Sequence, residues 1–228
     1  MRVSIVTPTL NEERNVAARA VELRRQRGPW EWIVADGGSN DRTVVVAAEC
    51  GALVVAAKRG RGAQLSAGAA AASGDIFLFL HADTSLPDGA LDAVRSALGR
   101  SELVGGNFAL RFDERGVAAT LFAFIYRLQQ RMMRTYFGDS AIFVRRGVYE
   151  RLGGFPDVAI LEDDAFVQRL ERAGKTIRIP LTVTTSGRRY RGRPLRALLR
   201  WTAILLLHRS GIPAQRLARL YAPHPDEP

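Results

Sequence analysis

Three acidic residues stand in a row at Glu162, Asp163 and Asp164. A carboxylate held at the mouth of a site can take the proton of an attacking hydroxyl, so this run offers a general base. The same acids would also complement the positive end of a helix dipole. A second pattern closes the apolar run Phe77–Leu80, which is followed by His81, Ala82 and Asp83. One carboxylate beside another ligand can hold a divalent ion against phosphate oxygens, because Mg2+ keeps waters and needs only one or two protein acids. Imidazole suits Mn2+ or Zn2+ better than Mg2+, so Asp83 is the principal ligand candidate and His81 the second. A helix cap and a surface histidine would account for the same two residues. The loop "KRGRG", 58–62, sets Arg59 and Arg61 beside two glycines ahead of a helix, which suits phosphate. It is half of a dinucleotide fingerprint only: Leu65 stands where the third glycine would, and the loop follows the third strand rather than the first. In "DGGSNDRT", 36–43, Gly37 and Gly38 allow a tight turn, and Ser39, Asn40 or Asp41 can cap the next helix.

Hydrophobic periodicity supplies the elements that hold these residues. "VSIVTPTL" (3–10) reads as a buried strand, and 11–26 as an amphipathic helix capped by Asn11, with Val16, Ala20 and Leu23 inward. A second strand ending in a turn (31–41), a helix (42–50), a third strand (52–57), a small-residue helix (63–74) and a fourth strand (75–83) follow. The strands are continuous apolar runs alternating with helices, which predicts an α/β fold whose mostly parallel sheet is covered on both faces. Ligands in such sheets bind beyond the carboxyl ends of the strands. Thr9, Glu12, Asp36, Arg59, Arg61 and Asp83 all fall there. Beyond a helix at 88–99 the pattern becomes mixed. It gives a strand at 104–113, a helix at 117–134, a short strand and helix within 138–156, the acid-started helix 160–174, and one or two edge strands in "TIRIP" and "TVTTS".

The 228 residues suit a single domain, 1–221, with a tail at 222–228. Within it, 1–103, 104–187 and 188–221 differ in character. One cysteine, Cys50, cannot form an internal disulfide and fits a reducing compartment. The start shows no long apolar core with a small-residue cleavage site, so no secretory leader is expected. "ALLRWTAILLL", 197–207, is broken by Arg200 and is shorter than the ~18–20 residues of a membrane span. The net charge of +10 is localised: residues 1–171 balance 21 basic against 21 acidic side chains, whereas 172–225 hold 12 basic and no acidic ones. That segment should meet something anionic.

Taken in order, "VSIVTPTLNEE", "DGGSNDRT", "RGRGAQLSAGAAAASGD", "FLFLHADT", "GDSAIFVRR" and "LEDDAF" resemble the family-2 glycosyltransferases of the GT-A (Rossmann-like) fold. The likeness runs from residue 2 to about 221. It is narrower toward the short bacterial subgroup assigned to arsenosugar biosynthesis, and less specific toward the carotenoid-acid (diaponeurosporenoate) glycosyltransferases. The resemblance implies an inverting hexosyltransferase. It would move a sugar from a nucleotide-diphosphate donor, with a UDP-sugar expected, to a hydroxyl of a small-molecule or lipid-like acceptor. It implies that Pro8, Thr9 and Glu12 line the nucleoside pocket, that Asp36 contacts the base with Asp41 behind it, and that Arg61 approaches the diphosphate. Ala82 and Asp83 match the end of the family's Asp-x-Asp motif, with Mg2+ or Mn2+ as cofactor, and Asp163 matches the catalytic base. Gly138, Asp139 and Glu162 would lie on the acceptor side, and Arg188 and Arg189 would reach the diphosphate from a late loop. Two departures stand out. His81 occupies a position where the family usually has an acid, and the Gln-x-x-Arg-Trp motif of processive members is absent, which argues against polymer synthesis.

Residues 188–219 hold nine arginines among leucines. A packing helix with a solvated rim explains them, and so does a contact with anionic lipid on the cytoplasmic face of a membrane. The charge also admits a nucleic-acid partner, which the neutral remainder of the chain, lacking a recognition module, disfavours. His81 keeps open a nucleotide-sugar-binding relative without metal-dependent activity.

Overall fold

The computed structural model describes residues 1–113, 123–126, 128, 136–158, 160–187 and 194–218. Its strands are β1 (Val3–Thr9), β2 (Trp30–Asp36), β3 (Leu53–Ala56), β4 (Ile76–Phe79), β5 (Thr84–Ser85), β6 (Leu103–Phe112), β7 (Ile142–Arg145) and β8 (Lys175–Thr185). They form one sheet in the order β3-β2-β1-β4-β7-β6-β8-β5. The first half, β3-β2-β1-β4, is parallel throughout. β7 then enters antiparallel to both β4 and β6, while β8 runs parallel to β6. The expected α/β architecture is present, parallel where the sequence shows continuous apolar strands and mixed where it shows partial alternation.

The helices are α1 (Glu13–Leu23), α2 (Thr43–Glu49), α3 (Arg61–Ala71), α4 (Ala90–Ala97), α5 (Arg146–Arg151), α6 (Glu162–Ala173), α7 (Pro194–Arg209) and α8 (Ala214–Ala218). The strand period of two sorts side chains onto two cores. Ile76, Leu78 and Leu80 pack with α1, α2 and α4 through Val16, Leu23, Ala47, Leu91 and Val94. Phe77 and Phe79 pack with α3, α5 and α6 through Leu65, Val148, Tyr149, Phe166 and Val167. On this second face Phe155 and Phe166 stack with centroids 4.6 Å apart, and Phe79 meets Phe155 edge-on at 4.7 Å. Such pairs add ~0.5–1.5 kcal/mol each beyond burial. They fix the start of α6, and hence the three acids, against the sheet. The small residues of α3 serve close approach: a methyl group on Gly68 would overlap Val6 of β1.

Several expectations need correction. Asn11 does not cap α1; it takes a left-handed backbone (φ 56°), and α1 starts two residues later than expected. Its side chain instead accepts the Asn40 N–H at 2.8 Å, which ties two turns together. The third strand is an edge with Leu53 half in water, not a buried run. The fourth strand ends at Phe79, so His81–Asp83 lie in a turn closed by Thr84 N–H to His81 C=O. "TIRIP" and "TVTTS", expected as one or two strands, form one. Its register against β6 slips between Ile179 and Thr182, around Pro180, which has no N–H to donate. Nor is that strand the edge: two-residue β5 covers it. The expected helix at 117–134 falls largely outside the described residues, although 123–126 and 128 are helical.

Candidate active site

One pocket gathers residues from widely separated places in the chain. It is lined by Arg61 at the start of α3, His81 and Asp83 after β4, Asp139 in the turn before β7, Asp163 at the start of α6, and Leu198 and Trp201 of α7. Phe112, Tyr126, Phe137 and Leu161 complete an apolar wall. The pocket lies beyond the carboxyl end of β4, where a parallel sheet leaves room for a ligand.

The three acids at the start of α6 are all buried, with Glu162, Asp163 and Asp164 at 2%, 6% and 0% exposure. Each is held differently. Glu162 pairs with the Arg61 guanidinium. Asp164 accepts from Gln168 at 2.6 Å and from Arg209, at the end of α7, at 2.9 Å. Asp163 accepts the Gly138 N–H at 2.9 Å through one oxygen and the Asp164 N–H at 2.9 Å through the other. Burial, reinforced by the charge of Glu162, pushes the Asp163 carboxyl up to about 6, although Arg61 and the two N–H donors pull the other way. A carboxylate so poised is half-titrated just below neutral pH, which suits proton abstraction.

Gly138 explains itself in the same contact. A methyl group there would overlap Nε2 of His81, so the imidazole lies directly over the residue whose N–H holds Asp163. Asp139 accepts the Tyr126 hydroxyl at 3.0 Å. Two of the three non-glycine residues with left-handed backbone among the described residues, Ala141 (φ 53°) and Leu161 (φ 64°), flank this turn and the acid run. Such conformations cost ~1–3 kcal/mol and concentrate at functional sites. At Leu161 the conformation is held by packing of Ile160 and Leu161 against Ile204 and Leu205 of α7.

A second cluster lies at the ends of β1 and β2. Asp36 is buried and accepts from the Gly38 and Ser39 N–H groups, both at 2.9 Å, and from the hydroxyls of Ser39 (2.5 Å) and Thr9 (3.2 Å). Asp41 accepts from the Thr43 N–H and hydroxyl at 2.9 and 2.5 Å and from the Glu13 N–H at 3.2 Å. Glu12 donates its N–H to Thr43 at 2.7 Å. Gln64 of α3 donates to the carbonyls of Thr9 and Ala35, joining the two strand ends. Thr9, Glu12, Asp36 and Asp41 are thus brought together beside half-buried Pro8, and Ala82 is buried behind the pocket turn.

Of the expected site residues, Arg61, His81, Asp83, Asp139 and Asp163 share the pocket, with Gly138 and Glu162 directly behind them. Arg188 and Arg189 lie outside the described residues. Sequence reasoning missed Tyr126, Trp201, Gln64 and Arg209. Arg209 contacts Asp164 across 45 residues, and no local pattern announces such a pair. For a metal, the pocket offers Asp83 with His81 and Asp139 nearby, and no group of three His, Cys, Asp or Glu that could hold an ion exists among the described residues. This donor set does not cage an ion by itself. It fits one that shares a single carboxylate and an imidazole with phosphate oxygens.

The fold is that of GT-A glycosyltransferases. The model of glycosyl transferase family 2 matches residues 4–152, and the chain belongs to that family. No curated protein matches the chain. Among solved structures it is similar to Staphylococcus aureus TarS 1–349 in complex with UDP-GlcNAc (TM-score 0.65, 18% identity, 82% of this chain and 58% of that one). It is also similar to the mannosyltransferase PcManGT of Pyrobaculum calidifontis with GDP-Man and Mn2+ (0.67, 18%, 98% and 66%). A third is glucosyl-3-phosphoglycerate synthase of Mycobacterium tuberculosis with Mn2+, UDP and glucosyl-3-phosphoglycerate (0.64, 24%, 93% and 81%). The chain spans little more than half the length of TarS 1–349. No described helix is long and apolar enough to cross a membrane.

Proposed function

We propose that the protein is an inverting hexosyltransferase that moves a sugar from a nucleotide-diphosphate donor, a UDP-sugar by preference, to the hydroxyl of a small-molecule or lipid-like acceptor. The order of motifs supports a likeness to the short bacterial arsenosugar subgroup within the family. The observation that carries the reading is a buried Asp163 of raised proton affinity in one pocket with Arg61, His81 and Asp83.

The nucleoside would rest on Pro8, Thr9 and Glu12, with Asp36 and Asp41 shaping the turn beneath it. Arg61 faces the leaving diphosphate and stabilises the charge that develops as the anomeric bond breaks. Asp83, with His81, would hold a divalent metal, which when bound neutralises that same charge. Asp163 takes the acceptor proton as the hydroxyl attacks from the opposite face. One base suffices for inversion, and the site needs no second nucleophilic carboxylate. Asp139 and the apolar wall lie on the acceptor side. Residues 188–219 would face an anionic membrane on the cytoplasmic side, and no nucleic-acid partner is invoked. The protein's oligomeric state does not enter this reading.

His81 supports a second reading, a nucleotide-sugar-binding relative without metal-dependent transfer. A thermal-shift screen of UDP- and GDP-sugars with and without Mn2+ tests both. A donor-dependent rise in Tm enhanced by Mn2+ supports the transferase. A rise indifferent to Mn2+, without donor turnover, favours the second reading, and no rise with any donor overturns both.

A further inference from the structure

Helix α7 has two working faces. Its inner face puts Leu198 and Trp201 into the pocket wall, and Ile204 and Leu205 against Ile160 and Leu161 beside Asp163. Its outer face carries Leu199, Leu206 and Leu207, which are 70%, 55% and 38% exposed, with exposed Ala203 and Arg200 between them. Spacings of four, seven and eight place Leu199, Ala203, Leu206 and Leu207 on one stripe. Three leucines exposed on one helix stripe are more than scattered surface apolarity explains. Phe124 and Leu128, 65% and 46% exposed, repeat the pattern beside Tyr126, which lines the same pocket.

We propose that the outer face of α7 docks on an anionic lipid bilayer, lying in the headgroup region with its leucines in the acyl boundary. Charge selects this occupant. The segment that contains α7, residues 172–225, carries 12 basic and no acidic side chains, so two copies of the segment would repel each other, while an anionic leaflet attracts it. Exposed leucines distinguish a bilayer from a nucleic-acid backbone, which offers them nothing apolar. With 16 residues, α7 is about 24 Å long, too short to span hydrocarbon and suited to lying on it. Because the inner face of this helix walls the pocket, an amphiphilic acceptor leaving the bilayer meets Trp201 and Leu198 on its way to Asp163. Docking on this face deepens, and rests on, the membrane contact proposed above for residues 188–219; only the acceptor's route rests on sugar transfer.

The test is co-sedimentation of the whole chain with large vesicles of phosphatidylcholine alone and of phosphatidylcholine with phosphatidylglycerol at 3:1, beside a Leu199→Ser/Leu206→Ser double variant. The wild type is expected to partition at least about tenfold more onto the anionic vesicles, and the double variant to lose at least about tenfold of that binding with an unchanged Tm. No pelleting with anionic vesicles overturns the proposal. Binding that the double variant retains in full overturns the assignment to α7. A wild-type dimer that the double variant makes monomeric shows the stripe to be a contact between copies, which also overturns it. The Tm rise with UDP, read on the same samples, reports the donor site separately, so failure of docking and failure of the transferase reading are told apart.

Discussion

Two acid-bearing turns sit at strand and helix ends of this molecule, and their carboxylates behave in opposite ways. In the turn 36–43, burial would raise the Asp41 carboxyl, but the Thr43 hydroxyl and N–H and the Glu13 N–H outweigh it and hold the group below its usual range. At the start of α6, burial and the neighbouring Glu162 win over the Arg61 charge and two N–H donors, and Asp163 is raised. Residue type is the same; the number of donors against the depth of burial decides the sign. The first turn is saturated by its own neighbours and acts as a rigid frame. In the second, the carboxylate has proton affinity enough to take a proton from a substrate.

Breaking the second turn should have the largest effect. Asp163→Asn is expected to lower sugar transfer by roughly 10²–10⁴-fold while leaving donor binding intact, as measured by turnover and UDP titration. Arg61→Ala comes next. It strands the buried Glu162 carboxylate and should cost roughly 3 kcal/mol, at the lower end for such pairs because Arg61 keeps some contact with water. It also removes the cation that lowers Asp163, so the acid limb of any pH–rate profile moves upward. Breaking the first turn should be milder: Asp41→Ala removes a cap on the Thr43 N–H and costs about 1 kcal/mol in denaturant melts, with kcat little changed. His81→Asp and His81→Ala sharpen the comparison further. If the imidazole ligates, the Asp variant shifts preference from Mn2+ toward Mg2+ and the Ala variant weakens metal response; equal metal dependence in all three marks His81 as a packing partner of Gly138.

The smallest effect is on stability. Because the folded state raises Asp163 above its unfolded value of 3.8, the proton it binds favours folding below that value. This contribution is lost as pH rises through about 6. Stability from this group therefore falls between those limits, and Asp163→Asn should flatten that segment of a Tm-against-pH curve.

What the sequence made legible follows from the range of the interactions. Apolar strands, small residues in α3 and the acid-started α6 are local patterns, and they set Arg61, His81, Asp83 and the run of three acids at element ends; Asp139, and the choice of Asp163 among the acids, rest on the family resemblance. The position of Asn11 misled, because its left-handed backbone depends on a turn 29 residues away. Leu161 gives no signal of its left-handed backbone, which packs against Ile204 and Leu205 of α7. Arg209 reads as one of many arginines until the fold sets it on Asp164. The sequence of α7 left its role open between packing and lipid contact, since a packing helix and an interfacial one share a composition.

The most direct test of the division between the two turns is the pH dependence of UDP release from a UDP-sugar by the wild type and by Asp163→Asn. The account predicts a wild-type rate that rises with pH through about 6, and a variant whose rate is at least ~100-fold lower and flat over the same range, with UDP binding unchanged. Turnover by Asp163→Asn at the wild-type rate, with the same rise, would contradict it.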